Sequence, residues 1–126
     1  MTEGRFEREM LDRLRGERRV RIETRRHQGG PVHRTPLWIV VDDADRALIR
    51  SWRGAGARWY REATSGQATA LIVARETIPV SVEHATDPER IASCSRALEA
   101  KYAGDPATKE MVAEEILDTT LELLPV

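Results

Sequence analysis

The chain has 126 residues, 40% hydrophobic and 33% charged, with a formal net charge of −1. That composition excludes wholesale disorder, and the length predicts one domain over residues 1–126. No apolar run approaches the roughly 20 residues of a membrane-spanning helix, and Met1 to Gly16 is too charged for a secretory signal. A lone cysteine, Cys94, has no partner for an internal disulfide, so a cytoplasmic protein is expected.

Phe6, Met10, Leu11 and Leu14 recur at helical spacing among charged residues and predict a short amphipathic helix ending near Gly16. From Arg19 the period becomes two: Val20, Ile22 and Thr24 face one way, and Arg19, Arg21, Glu23 and Arg25 the other. A polar loop is expected from Arg26 to Arg34, broken by Gly29-Gly30-Pro31. Leu37 to Val41 is apolar on both faces and reads as a central strand, Asp42 to Asp45 as a turn, and Ala47 to Trp52 as the next strand.

Gly54 and Gly56 open a loop, and Ala57 to Ala63 predicts one or two helical turns. Ala68–Ala74 and Thr77–His84 read as two strands around Arg75-Glu76, with Pro79 placing the second at a sheet edge or out of the ladder. Asp87-Pro88 and Asp105-Pro106 each pair an N-cap acid with proline at the first helical position. The first helix carries Ile91, Cys94, Leu98 and Tyr102 and stops at Gly104; the second carries Met111, Val112 and Ile116. The alternation from Leu117 to Leu123 predicts a final strand. The expected fold is therefore α+β, mainly β: six antiparallel strands in a small barrel or strongly bent sheet, with an N-terminal helix and a helical hairpin before the last strand.

Charge is distributed unevenly. Residues 1–61 hold 15 arginines against nine acids, while residues 62–126 hold five cations against twelve acids. Guanidinium is a planar fork suited to phosphate and carboxylate. Arg5, Arg8, Arg13, Arg15, Arg18 and Arg19 alternate with Glu3, Glu7, Glu9, Asp12 and Glu17, a spacing that marks a salt-bridged solvated face and argues against nucleic-acid binding.

Several chemistries are excluded. No phosphate loop or dinucleotide fingerprint follows a strand. The three histidines, His27, His33 and His84, lack metal-site spacing. Cys94 lies on the apolar stripe with Leu98, which suits core packing. The segment Arg50-Ser51-Trp52-Arg53-Gly54 remains, followed by Arg58-Trp59-Tyr60-Arg61. Arginine and tryptophan two residues apart on a strand suit a phosphate beside a stacked ring. The alternative is that the aromatics pack under the loop while the arginines reach water.

The run Ile22-Glu23-Thr24-Arg25-Arg26-His27-Gln28-Gly29-Gly30-Pro31-Val32-His33-Arg34-Thr35-Pro36-Leu37, a strand–turn–strand, then Ser51-Trp52-Arg53-Gly54 and Arg58-Trp59-Tyr60, resembles the split β-barrel superfamily of flavin-binding proteins. That superfamily includes pyridoxamine phosphate oxidase-like proteins and deazaflavin-dependent nitroreductases, and the similarity is nearer to the nitroreductases. A small bacterial family of unassigned function is expected within it.

The resemblance implies a homodimer that binds FMN or a deazaflavin coenzyme and transfers hydride to a small organic acceptor, with no catalytic side chain and no metal. Arg34, Thr35 and Pro36 would line the ring. Arg50, Ser51 and Trp52 would lie near the ring or phosphate, Arg53, Gly54 and Arg58 in the phosphate loop, and Trp59 at the start of the following helix. Relatives continue with Asn-Leu and Asn-Pro elements, where this chain reads Arg61-Glu62 and Ser65-Gly66-Gln67. That departure keeps a second reading open, a split-barrel binding or interaction module without a cofactor.

Overall fold

The computed structural model of the chain describes residues 5–126. Helix α1 (Arg8–Gly16) turns Leu11 and Leu14 inward, with Phe6 buried just ahead of it. Its cations are engaged at the surface: Arg8 and Arg15 reach Asp45 and Arg13 reaches Glu76, while Arg18, just beyond the helix, reaches Asp105. Strand β1 (Val20–Arg25) buries Val20, Ile22 and Thr24, as its alternation requires.

β1 pairs antiparallel with β2 (Val32–Leu37), from Val20↔Leu37 to Arg25↔Val32. The loop expected over Arg26–Arg34 is thus shorter, because its last three residues complete the hairpin ladder. The strand expected over Leu37–Val41 is also divided. β2 ends at Leu37, Trp38 and Ile39 intervene, and β3 (Val40–Val41) begins beyond them.

β4 (Ala47–Ile49), α2 (Arg58–Ala63), β5 (Thr69–Val73) and β6 (Glu76–His84) follow. Then come α3 (Pro88–Lys101), α4 (Thr108–Met111), a 3₁₀ turn (Glu114–Thr119) and β7 (Leu121–Pro125). The strands number seven rather than the expected six, because β2 forms largely from residues expected as loop, while β3 keeps only the end of the Leu37–Val41 run.

The division of the Leu37–Val41 run follows from the strand order, β2-β1-β5-β6-β7-β4-β3. The two outer strands are consecutive in the chain, joined only by Trp38 and Ile39. Seven strands laid flat at about 4.8 Å spacing would hold those edges about 29 Å apart, whereas three residue steps span at most about 11 Å. The sheet must curl until its edges meet. The result is a barrel with a seam between β2 and β3.

β6 is an interior strand, so of the two places expected for Pro79, a sheet edge or out of the ladder, the edge is overturned. Pro79 opposes Ala70 on β5, but the β7 ladder begins only at Val80↔Pro125. On that side the missing N–H therefore interrupts no ladder.

The barrel interior gathers Ile22, Ile49, Leu71, Val73, Leu121 and Leu123 with Leu11 and Leu14 of α1. A second cluster lies outside the barrel wall, where Val40 and Leu48 meet Cys94, Leu98 and Tyr102 of α3. β4 is consequently buried on both faces, Ala47 and Ile49 inward and Leu48 outward. α3 begins as its sequence predicts, with the Asp87 side chain accepting from the Arg90 N–H and Pro88 at the first turn. Asp105 differs. It accepts from the Ala107 N–H in a local turn, and α4 starts only at Thr108.

The β3–β4 turn is pinned by Asp42, which is 3% exposed. Its carboxylate accepts from the backbone of Ala44 and Arg46, from the Arg46 guanidinium and from the Ser93 hydroxyl, at 2.7–3.0 Å. Burial pushes the carboxyl up, but the Ser93 and Arg46 hydrogen bonds more than offset it and hold it below the ordinary value. A carboxyl depressed on folding contributes stability above its unfolded value, about 3.9, that is lost as pH falls through the folded value. The stability gap between the wild type and Asp42→Asn should therefore be widest above about pH 4 and narrow at lower pH. Urea melts at about pH 6 and about pH 2.5 check this, and a constant gap would contradict it.

Candidate functional site

Arg50, the residue after β4, faces the same side as Leu48, because successive side chains alternate. Arg50 thus passes under α3 rather than out to solvent and is only 1% exposed. Its Nε donates to Thr120 Oγ1 at 2.8 Å, Nη1 to Ser95 Oγ at 2.8 Å and to the Met111 carbonyl at 3.1 Å, and Nη2 to the Ile91 carbonyl at 2.7 Å. All four acceptors are neutral, and no carboxylate pairs with Arg50 among the described residues. Burial lowers its pKa, but a guanidinium stays charged near neutral pH. The fold thus holds an uncompensated cation beneath α3 and α4.

The chain then turns sharply. Ser51 is fully buried, its N–H donating to Thr119 Oγ1 and its hydroxyl to the Gly54 carbonyl at 2.6 Å. The Gly54 N–H returns to the Ser51 carbonyl, with Gly54 at φ +82°, the left-handed region that glycine tolerates. This turn projects Trp52 and Arg53 outward. Trp52 is 55% exposed and donates its Nε1–H to Glu110 at 2.7 Å, while the Arg53 guanidinium lies 5.9 Å from its ring centre.

Between this turn, the seam and α2 lies a cavity of about 450 Å³, well within the size of small-molecule sites, about 300–1,000 Å³. Thr35, Pro36, Leu37 and Trp38 form one wall. Arg50, Trp52 and Arg53 form a second, and Ala57 and Trp59 a third. Arg19, Asp105, Ala107 and Met111 complete the lining. All three tryptophans of the chain meet here. Trp38 is held flat against Tyr102, ring centres 3.8 Å apart and 4° from parallel. Tyr102 is in turn anchored by its hydroxyl, which donates to the Arg18 carbonyl at 2.7 Å.

Of the residues singled out in the sequence, Thr35, Pro36, Arg50, Trp52, Arg53 and Trp59 come together around this cavity. Arg34 does not line it: its side chain lies on the exposed face of β2, paired with Glu23 at 3.0 Å. Ser51 shapes the turn from beneath. Gly54 borders a shallower depression beside Trp52 and Arg53. Arg58 lines a separate cavity on the other side of α2. Trp38 and Arg19 were not singled out, since Trp38 read as part of an apolar strand and Arg19 as its solvent face. Asp105 read only as a cap.

The cavity offers ring-stacking surfaces and cations, and little acid–base capacity. Its one carboxylate, Asp105, is engaged by Arg18 at 2.8 Å. No histidine or cysteine lines it, and no metal-holding cluster exists among the described residues. Nor is any helix long and apolar enough to cross a membrane, among those residues.

Seam, curled sheet and flanking helices define a split β-barrel. The same fold occurs in HutZ, the heme storage protein from Vibrio cholerae, at 11% identity and TM-score 0.68 over 97% of this chain and 91% of that one. It occurs also in a putative pyridoxamine 5′-phosphate oxidase from Listeria innocua, at 14% identity and TM-score 0.59 over 94% and 90%. An F420-H2 dependent reductase shares it at 13% identity and TM-score 0.57 over 86% and 94%. No curated protein matches the sequence. Residues 10–123 match the family described as an uncharacterized protein conserved in bacteria (DUF2255), and the chain belongs to that family.

Proposed function

We propose that the seam cavity binds FMN or a deazaflavin coenzyme and that the protein is a reductase acting on a small organic acceptor. The observation that carries this reading is the convergence of Trp38, Trp52 and Trp59 with Arg50 and Arg53 around one cavity of suitable volume. Flat aromatic faces accept a planar ring, and guanidinium groups favour an anionic one. When bound, such a cofactor supplies the two-electron chemistry. The residues of the chain hold and orient it: Trp38, backed by Tyr102, gives a stacking face, Arg53 places charge at the mouth, and Thr35 and Pro36 bound the ring edge.

Heme suits the cavity less well. An axial ligand would have to come from histidine, cysteine, tyrosine or methionine. Only Met111 is present, and it packs in the outer core with Leu98 and Ile116. In this reading the protein is a cytoplasmic homodimer, and the exposed Trp52 ring at the mouth is covered by the second subunit.

Arg53→Ala should weaken binding of the cognate cofactor by about 1.5–3 kcal/mol, the size of a charged hydrogen bond. Titration by tryptophan fluorescence quenching measures it. An unchanged dissociation constant would remove Arg53 from the site.

A second reading, a cofactor-free binding module, is favoured by one observation: Arg50 already directs its guanidinium at four protein acceptors. That reading predicts no response to any flavin or deazaflavin.

A further inference from the structure

The chain holds two lysines in contrasting settings. Lys109 is exposed on α4, whereas Lys101, the last residue of α3, reaches in to where α3, α1 and the Trp38-Ile39 link meet. Its Nζ donates to the Leu14 carbonyl at 2.8 Å and to the Ile39 carbonyl at 2.7 Å. Leu14 lies in the last turn of α1, where carbonyls lack partners within the helix. These two carbonyls are its only hydrogen-bond partners among the described residues, and neither carries a charge.

The same side chain borders a cavity of about 500 Å³ that shares no lining residue with the seam cavity. One wall is a single face of α3, on which Ser93, Ala97, Ala100 and Lys101 recur at helical spacing. Val40, Val41 and the β3–β4 turn supply another. Because Ala97 and Ala100 are small, room is left beside the lysine.

A purely structural role accounts for the two hydrogen bonds, which latch α3 to α1 and to the link. It does not account for an ammonium held there without a carboxylate. Two carbonyls need two N–H donors, which the neutral amine supplies, and its lone pair then takes the remaining tetrahedral direction. Burial lowers the ammonium pKa to about 8, with Glu17 opposing the fall and Arg18 adding to it. At about pH 7 roughly a tenth of the amine is neutral, against less than about a thousandth for a lysine of ordinary pKa. The other charged groups around the cavity are Arg15, Arg96, Asp42 and Asp43. Two cations and two acids balance, so no surplus charge draws an ion.

We propose that this cavity is a covalent carbonyl site, in which the Lys101 amine captures a small aliphatic aldehyde as an imine. The lone pair attacks the carbonyl carbon, a C–N bond forms, and the carbonyl oxygen leaves as water with the two amine hydrogens. The step consumes no oxidant or reductant. Protonation of the imine nitrogen from solvent restores one N–H, which keeps one of the two backbone carbonyls bonded. Val40, Val41, Ala97 and Ala100 suit a short apolar chain on the aldehyde.

Reductive alkylation with propanal and cyanoborohydride tests the site, stopped at low conversion and mapped by peptide mass spectrometry. Lys109 is the internal reference. At about pH 7, Lys101 should label at least about tenfold faster than Lys109, with a rate that saturates in propanal. A lysine that only latched the two carbonyls would be shielded and would label more slowly than Lys109. Ala100→Leu places a larger side chain at an exposed position bordering the cavity. It should slow Lys101 severalfold and leave Lys109 unchanged. Labelling of Lys101 no faster than that of Lys109, or unaffected by Ala100→Leu, would overturn the proposal.

Discussion

Arg50→Ala should destabilise the protein by about 2–4 kcal/mol, through lost hydrogen bonds to buried neutral acceptors and the cavity left behind. The side chain is 1% exposed and links four places distant in sequence: Ile91 and Ser95 on α3, Met111 on α4, and Thr120 ahead of β7. Its removal takes the donor from the buried Met111 carbonyl and from the Ser95 and Thr120 hydroxyls, and leaves a cavity between sheet and helices. Arg50→Lys keeps the charge but cannot reproduce the fork, so it should recover only part of the loss. Urea denaturation measures both, and a loss below about 1 kcal/mol for alanine would show the network to be dispensable. Because Arg50 also lines the seam cavity, ligand binding by the lysine variant is the informative companion measurement.

Tyr102→Ala should cost a similar amount, about 3–5 kcal/mol, as large aromatic truncations in cores do. The ring is fully buried between α3 and the sheet, stacked on Trp38, with Lys101 Nζ 5.4 Å from its centre. Its hydroxyl, pushed up to about 12 by burial, stays protonated and donates to the Arg18 carbonyl. Tyr102→Phe keeps the stack and loses the hydrogen bond, for about 1–2 kcal/mol. The two variants should also separate in ligand binding. The alanine variant frees Trp38 to tilt and should weaken ring binding, whereas the phenylalanine variant should not. Equal affinities in the two would show that the stack does not orient Trp38.

Much of the architecture is legible in the residues themselves. The alternation Val20, Ile22, Thr24 identifies β1 and its buried face, and Asp87-Pro88 marks the start of α3. Arg50 and Trp52, two residues apart, both line the seam cavity. The break at Trp38-Ile39 is not legible, because Leu37 to Val41 is uniformly apolar and only barrel closure divides it. The period-two run from Leu117 hides a 3₁₀ turn, since Thr119 and Thr120 direct their hydroxyls back to the Ile116 and Leu117 carbonyls. β7 therefore starts at Leu121. Arg58 and Trp59 are adjacent in sequence but face different cavities, a consequence of the helical twist that a motif reading cannot capture.

The most direct test of the central claim is a thermal-shift titration with FMN, FAD and a deazaflavin coenzyme. A ligand at about 100 times its dissociation constant adds about 2.7 kcal/mol, which for a chain of this length raises the midpoint by several degrees. A saturable shift with FMN or the deazaflavin, reduced in Arg53→Ala, is the predicted result. No shift with any of the three would contradict it and leave the cofactor-free module as the account of the fold.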